Sequence, residues 1–318
     1  MKMKGTATVV KHTGSHYLLT ELPGWNLFPA VLRGKVRLKG STATNPVAVG
    51  DLVDYDLDEA AEGDSMAAIT SIHPRRNYVI RKSTNLSRQN HIIAANLDQA
   101  VIITSLMFPE IKLPFLDRIL VTCEVYNVPA IIVLNKVDMY RDAAKEEVEA
   151  FKSIYESAGY RVIETSTKTG EGISELRELC KDKVTLFSGE SGVGKSSMIK
   201  AIDPSLEPRT GEISDVHLQG KHTTTFYEMY RFSVSDGGSG YIVDTPGIRG
   251  FGLVDLKKEE IALYFPEMLR ASEDCRFSPC THTHEPGCAV KLAVEEGTIT
   301  PERYSSYLGM LEDEGKYR

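Results

Sequence analysis

The stretch IIVLNKVDMY, residues 131–140, passes from an apolar run into Asn135-Lys136-Val137-Asp138. A β-branched run that stops at such a polar cluster reads as a buried strand delivering side chains to a loop. The Asp138 carboxylate suits one base. Its oxygens can accept from guanine N1–H and the 2-amino group, a donor pair that adenine lacks. Asn135 is expected to tie neighbouring loops together, and the stem of Lys136 to cover the base. Further on, ETSTKTGEG sets Ser166, Thr167 and Lys168 just past a second strand, at the interval where a short polar loop would touch the guanine oxygen.

Downstream again, LFSGESGVGKSSMIK (186–200) fits G-x-x-x-x-G-K-[ST], with strand before and helix after. Its residues are Gly189, Glu190, Ser191, Gly192, Val193, Gly194, Lys195 and Ser196, and Ser197 follows in the first helical turn. Glycines let backbone N–H groups approach phosphates, Lys195 would reach the β- and γ-phosphates, and Ser196 would bind Mg²⁺. The apolar strand of GYIVDTPG then delivers Asp244 behind the Mg²⁺ water shell and the Gly247 N–H towards a γ-phosphate. Between them lies QGKHTTTFYEMY, whose threonines at 223–225 are candidates for a further Mg²⁺ ligand, Thr224 being the choice among three. Ile248 occupies the position where many GTPases carry a water-orienting Gln, and Ile cannot orient water. His222 is the candidate substitute. A loop residue that packs or contacts a partner is the other reading of it. Slow hydrolysis by the protein alone follows.

All the parts of a GTPase are thus present in a rotated order: base, base, phosphate, mobile loop, Asp-x-x-Gly. Domain termini often lie close together at the surface, so such a rotation is physically permissible. The loop after Asp244 then leads directly into the C-terminal segment, giving nucleotide state a short path to it.

The 318 residues allow two or three domains, and 42% apolar with 25% charged residues is the composition of a globular chain. No apolar run approaches the length needed to cross a bilayer, and MKMKGTATVV lacks a leader's apolar core, so a cytoplasmic protein is expected. Residues 1–74 alternate at period two between turns, which predicts a small OB-like barrel. Residues 75–91 read as a basic linker. Residues 92–254 alternate strands and helices, implying a parallel sheet with helices on its faces. Residues 255–318 read as helices flanking a cysteine cluster.

That cluster offers Cys275, Cys280, His282 and Cys288, with His284 able to replace His282. In a reducing compartment Cys₃His suits a closed, structural Zn²⁺ site better than a disulfide framework, free thiols being the alternative. Cys123 and Cys180 stand alone and read as packing residues.

The net charge of −7 argues against a protein that coats nucleic acid with its whole surface. Locally, Arg33, Lys35, Arg37 and Lys39 recur at period two and would project from one strand face. A solvated face is the ordinary reading of such a run. Four positive charges and no negative one point instead to RNA phosphates, with Arg75, Arg76, Arg81 and Lys82 extending the surface.

The ordered set RGKVR, AANLDQAVIITS, NKVD, TSTKTGEG, GESGVGKSS, GKHTTT, DTPGIRGFG and Cys-x₄-Cys-x-His-x₅-Cys resembles one family over nearly the whole length. It is the ribosome small-subunit-dependent GTPase A family, the YjeQ/YloQ type of circularly permuted GTPase. The resemblance implies an OB-fold, a permuted GTPase domain and a C-terminal zinc domain. It implies GTP hydrolysis with Mg²⁺, slow alone and stimulated by the small ribosomal subunit, in late maturation of that subunit and on its rRNA. It also supports one Zn²⁺ on Cys275, Cys280, His282 and Cys288. Two other classes stand beside it: a GTP-controlled RNA-binding placeholder whose hydrolysis only times release, and a small-molecule or metal-trafficking GTPase. A monomer with no membrane partner is the default expectation.

Overall fold

Strands with one apolar face need a surface to bury it against, and a closed barrel supplies that surface from the strands themselves. The computed structural model describes residues 2–13, 16–33, 46–58, 66–81, 91–208, 227–234, 236–244 and 256–312. Lys35, Arg37, Lys39, Lys82, His222, Thr224, Gly247 and Ile248 of the sequence reading lie outside the described residues.

The barrel strands are β1 (Lys2–His12), β2 (His16–Thr20), β3 (Phe28–Leu32), β4 (Leu52–Asp58) and β5 (Ala67–Ile72). Their order is β1-β2-β3-β5-β4, and pairing of β4 back onto β1 closes it. The alternating residues Ala7, Val9, Tyr17, Leu19, Ala30, Val53, Tyr55, Ala67 and Ile69 fill the interior. This is the expected OB-like barrel. At Val9–Lys11 the register of β1 against β2 slips by one residue, a β-bulge that re-aims the strand. Val10 consequently joins the core of the next domain rather than the barrel.

The stretch read as a linker is structured where it is described. β6 (Tyr78–Arg81) pairs antiparallel with β7 (His91–Ala95). Arg75 does not extend a basic surface either. Its side chain is buried, donating to Asp51 at 2.6 and 2.7 Å and to the Pro46 carbonyl at 2.8 Å. Asp51 is fully buried, and an uncompensated charge there would be costly, so the arginine is a structural counter-ion. Arg76 is exposed but engaged with Asp98 and the Asn96 carbonyl.

The central domain alternates as predicted: β8 (Gln99–Thr104), α1 (Leu113–Val125), β9 (Ala130–Leu134), α2 (Lys145–Ala158), β10 (Arg161–Glu164), α3 (Ile173–Leu179), β11 (Val184–Gly189) and α4 (Lys195–Ile202). β12 (Glu228–Ser233), absent from the sequence reading, pairs antiparallel with β13 (Ser239–Asp244). The sheet runs β10-β9-β8-β11-β13-β12, parallel except for β12. β8 is buried throughout, as a parallel strand covered by helices on both faces must be. β12 then pairs with β1, so the described strands of barrel and central domain form one eleven-stranded sheet.

The C-terminal segment holds a 3₁₀ stretch (Lys258–Tyr264), α5 (Pro266–Ser272), α6 (Ala289–Glu295) and α7 (Pro301–Glu312). The stretch LKKEEIALYFPEMLRA forms two elements. Pro266 divides it, because the residue before a proline is pushed out of the helical region, and Phe265 sits extended at φ −109°. The segment's core includes Phe265, Met268, Val290 and Tyr307, together with Val121 of α1. None of the described helices is long and apolar enough to cross a membrane.

Arg303 of α7 locks this segment to the central domain. It is 1% exposed, and it donates to Asp117 of α1 at 2.7 Å and to Glu267 of α5 at 2.7 and 3.2 Å. Its guanidinium also lies 4.5 Å over the Phe265 ring. Burial pushes the Asp117 carboxyl up against the pull of Arg303. Burial likewise opposes the charge on Arg303, but Asp117 and Glu267 outweigh it and hold the guanidinium ionised. Arg303→Met would leave two buried carboxylates without their partner. It is expected to cost about 3–5 kcal/mol, read as a lowered midpoint in urea unfolding of the full chain.

Candidate functional site

The loop leaving β11 is built where glycine alone fits. A Cβ on Gly189 would stand 2.5 Å from the Ile103 carbonyl of β8. Gly192 and Gly194 have φ of 86° and 98°, and a Cβ on Gly194 would stand 2.5 Å from Asn135 Nδ2. Glu190, Ser191 and the buried Val193 complete the turn. Lys195, Ser196 and Ser197 then open α4, so that the helix start and its free N–H groups lie at the end of the loop. Lys195 Nζ forms an ion pair with the carboxylate of Asp244, the last residue of β13.

The loops that carry Asn135 and Ser166 converge on this turn. Asn135 is fully buried. Its Nδ2 donates to the Val193 carbonyl at 2.8 Å, and its Oδ1 accepts from the Thr165 hydroxyl at 3.1 Å. Lys136, in the left-handed region at φ 64°, donates from Nζ to the carbonyls of Gly192 (2.6 Å) and Phe108. Asp138 accepts from the Ser166 hydroxyl at 2.6 Å, and Lys168 Nζ stands 3.9 Å away. Ser166 Oγ in turn accepts from the backbone N–H of Lys168 and of Thr169, which shapes the turn through Thr167. Arg141 braces the pair of loops from below by bridging Glu164 and Glu171. Burial pushes the Tyr140 hydroxyl up to about 12, and it donates to the Asn135 carbonyl.

The structure therefore gathers Asn135, Lys136, Asp138, Ser166, Lys168, the phosphate loop and Asp244 into one constellation. Sequence reasoning missed three members. Thr165 stands next to Ser166 and had a positional signal. The Phe108 carbonyl had none, because a backbone acceptor leaves no residue-type trace. Arg141 had only its place after Asp138.

Of the basic edge, Arg33 alone is described. It follows the end of β3, its side chain is 61% exposed, and it lies 3.6 Å from Asp56.

The cysteine cluster brings four potential ligand atoms together. The Cys275, Cys280 and Cys288 sulfurs and a His282 ring nitrogen lie within 4.8 Å of one another. His282 Nδ1 is 3.4 Å from the Cys288 sulfur and 3.7 Å from that of Cys275, and those two sulfurs are 4.0 Å apart. Tetrahedral Zn²⁺ with bonds of about 2.3 Å to sulfur and about 2.0–2.1 Å to nitrogen requires edges of this length. The residues fit the ion. His282 rather than His284 is the fourth member, since His284 is exposed and bonded to Thr283. Tyr304 and Tyr307 of α7 donate to the carbonyls of His282 (2.6 Å) and Thr281 (2.7 Å), fixing the loop. Burial opposes the Glu285 charge, but hydrogen bonds from the Thr281 hydroxyl and surrounding N–H groups prevail and hold the carboxyl at about 2.

The sequence profile of the RsgA GTPase family matches residues 72–254. The chain belongs to the RsgA GTPase family. It is 48% identical to "Small ribosomal subunit biogenesis GTPase RsgA" of Bacteroides fragilis over 99% of both chains. The protein of the same name from Flavobacterium psychrophilum is 47% identical, covering 98% of this chain and 94% of that one. Among solved structures, YjeQ from Thermotoga maritima superposes with a TM-score of 0.78 at 31% identity over 98% of each chain. YloQ, a circularly permuted GTPase, gives 0.72 at 27% identity over 98% of this chain and 95% of its own. The chain hydrolyses GTP, and its GTPase domain is circularly permuted, with strand β11 seated between β8 and β13.

Gly194→Ala tests the close approach of the two loops. A methyl group there meets both a left-handed backbone and the Asn135 amide. GTP turnover is expected to fall about tenfold or more, with a lowered melting temperature in the same preparation.

Proposed function

We propose that the chain is a GTP hydrolase acting in late maturation of the small ribosomal subunit, slow alone and stimulated by that subunit. The carrying observation is the Asn135–Val193 hydrogen bond, which fuses the base-reading and phosphate loops into one site within a chain matched end to end by the RsgA proteins. In this reading the N–H groups of Gly189 to Ser197 cradle the phosphates. Asp138 takes guanine N1–H and the 2-amino group, with Ser166, Thr167 and Lys168 against the base edge. With adenine the same carboxylate would be left unpaired, which excludes ATP.

Mg²⁺ bound with GTP would neutralise charge between the β- and γ-phosphates, with Ser196, Thr224 and Asp244 as its protein side. Lys195 would then exchange the Asp244 carboxylate for phosphate oxygens. The Gly247 N–H would meet the γ-phosphate, and His222 would orient the attacking water that Ile248 cannot. Slow intrinsic turnover follows from Ile248 standing where a water-orienting Gln is usual, and stimulation by the subunit would complete the orientation of the attacking water. The barrel edge with Arg33, Lys35, Arg37 and Lys39 is the proposed rRNA contact, and the protein works as a cytoplasmic monomer.

Cys275, Cys280, His282 and Cys288 would hold one structural Zn²⁺, all four positions being protein ligands. Purified protein is expected to carry about one zinc per chain by atomic emission, and Cys280→Ser to lose it together with melting temperature.

The deciding experiment is GTP turnover alone, with small subunits, and with large subunits or ATP as controls. Stimulation by small subunits only is the expected result. Turnover indifferent to every ribosomal particle would remove the partner while leaving the GTPase.

A further inference from the structure

β1 serves two bodies. Up to Val9 it lines the barrel; after the bulge, Val10 enters the core of the GTPase domain and Lys11 pairs with β12. Lys11 is directly opposite Glu228, and Glu228 is directly opposite Asp244 on the next strand. Residues directly opposite on neighbouring strands share a face, with Cβ atoms about 5 Å apart. Tyr227, Met229 and Val243 fill the core on the other face, together with Leu116 and Ile119 of α1. Glu228 and Asp244 therefore point to the side where Met198 and Ile199 of α4 pack and where Lys195 stands.

The result is a row of four charges across four elements: Lys11, Glu228, Asp244, Lys195. Lys11 Nζ is 2.8 Å from Glu228 Oε1, and Asp244 holds Lys195. The Lys11 and Glu228 side chains are 20% and 24% exposed, those of Lys195 and Asp244 12% and 6%, so water screens the row only in part. Two carboxylates side by side repel, and each here has its own ammonium group.

We propose that Lys11 is a positioning residue for GTP hydrolysis. By holding and neutralising Glu228, it keeps that carboxylate from competing with Asp244 for Lys195 and for the divalent cation. The proposal rests on Lys195 and Asp244 belonging to the Mg²⁺·GTP site. Lys11 is the one member of the row that the barrel supplies. The barrel's seat on the GTPase domain thereby enters the electrostatics of the reaction, and a ligand that shifts the barrel acts on turnover through this contact.

The test is steady-state GTP turnover of the full-length protein at saturating Mg²⁺. Lys11→Met is expected to lower kcat about fivefold with KM for GTP held within about twofold, and Lys11→Arg to keep wild-type kcat. The double variant K11M/E228Q, which removes both charges, is expected to recover kcat to within about twofold of wild type. The exchanged pair K11E/E228K restores an ion pair between the strands but sets an ammonium beside Asp244, and is expected to stay slow.

Recovery in the exchanged pair as full as in K11M/E228Q would make Lys11 a strand-joining residue only and overturn the proposal. So would an unchanged kcat in K11M, a change confined to KM, or no recovery in K11M/E228Q. Lys195→Ala separates the layers. Wild-type turnover in that variant would remove the nucleotide site itself, whereas loss there with normal K11M would remove only the role of Lys11.

Discussion

A single buried amide holds the functional centre together. Asn135 stands at the end of one strand, and its side chain donates to the phosphate loop and accepts from the loop carrying Ser166. A fully buried amide with unmade hydrogen bonds is costly, so once Asn135 is enclosed all three loops must be present to satisfy it. The close approach explains the glycine at 194, where a methyl group would displace the amide. It also explains why chain order can be rotated. The bonds that define the centre run between loops at one edge of a sheet, and none requires that a particular loop come first.

The same sheet extends the centre outward. Because β12 pairs with β13 on one side and β1 on the other, the barrel is joined by backbone hydrogen bonds to the strand neighbouring Asp244. On the opposite flank the link is electrostatic, Arg303 of α7 sharing its donors between α1 and α5. α1 begins beyond the loop whose Phe108 carbonyl accepts from Lys136, so the cysteine-cluster segment is also only one helix away from the loops around Asn135. The charges of the Arg303 link are buried, so they are costly to separate and hold orientation as well as contact.

The cysteine cluster follows a related logic on a smaller scale. Its cysteines pack on the apolar core of the segment, and two tyrosine hydroxyls of α7 hold the loop by the carbonyls of Thr281 and His282, so that four potential ligand atoms converge. The choice of His282 over His284 depends on which imidazole the loop turns inward. The left-handed backbone at His282, with φ of 55°, accompanies that turn.

From sequence alone came the barrel, the alternating domain, the phosphate loop, the Asn-Lys-x-Asp and Ser-Thr-Lys loops and the cysteine set. Each rests on periodicity or on residue types at fixed local spacing, and such signals survive without a fold. The tertiary structure decided what depends on distance between remote segments. It showed that Arg75 is a buried counter-ion for Asp51 rather than part of a basic surface. It paired residues 78–81 with 91–95 where a linker was expected, and it divided the stretch 256–271 into two elements at Pro266. It set Lys11, Glu228 and Asp244 in one row across three strands. Strand neighbours are chosen by burial summed over whole faces, and that sum is not written in any one stretch of the chain.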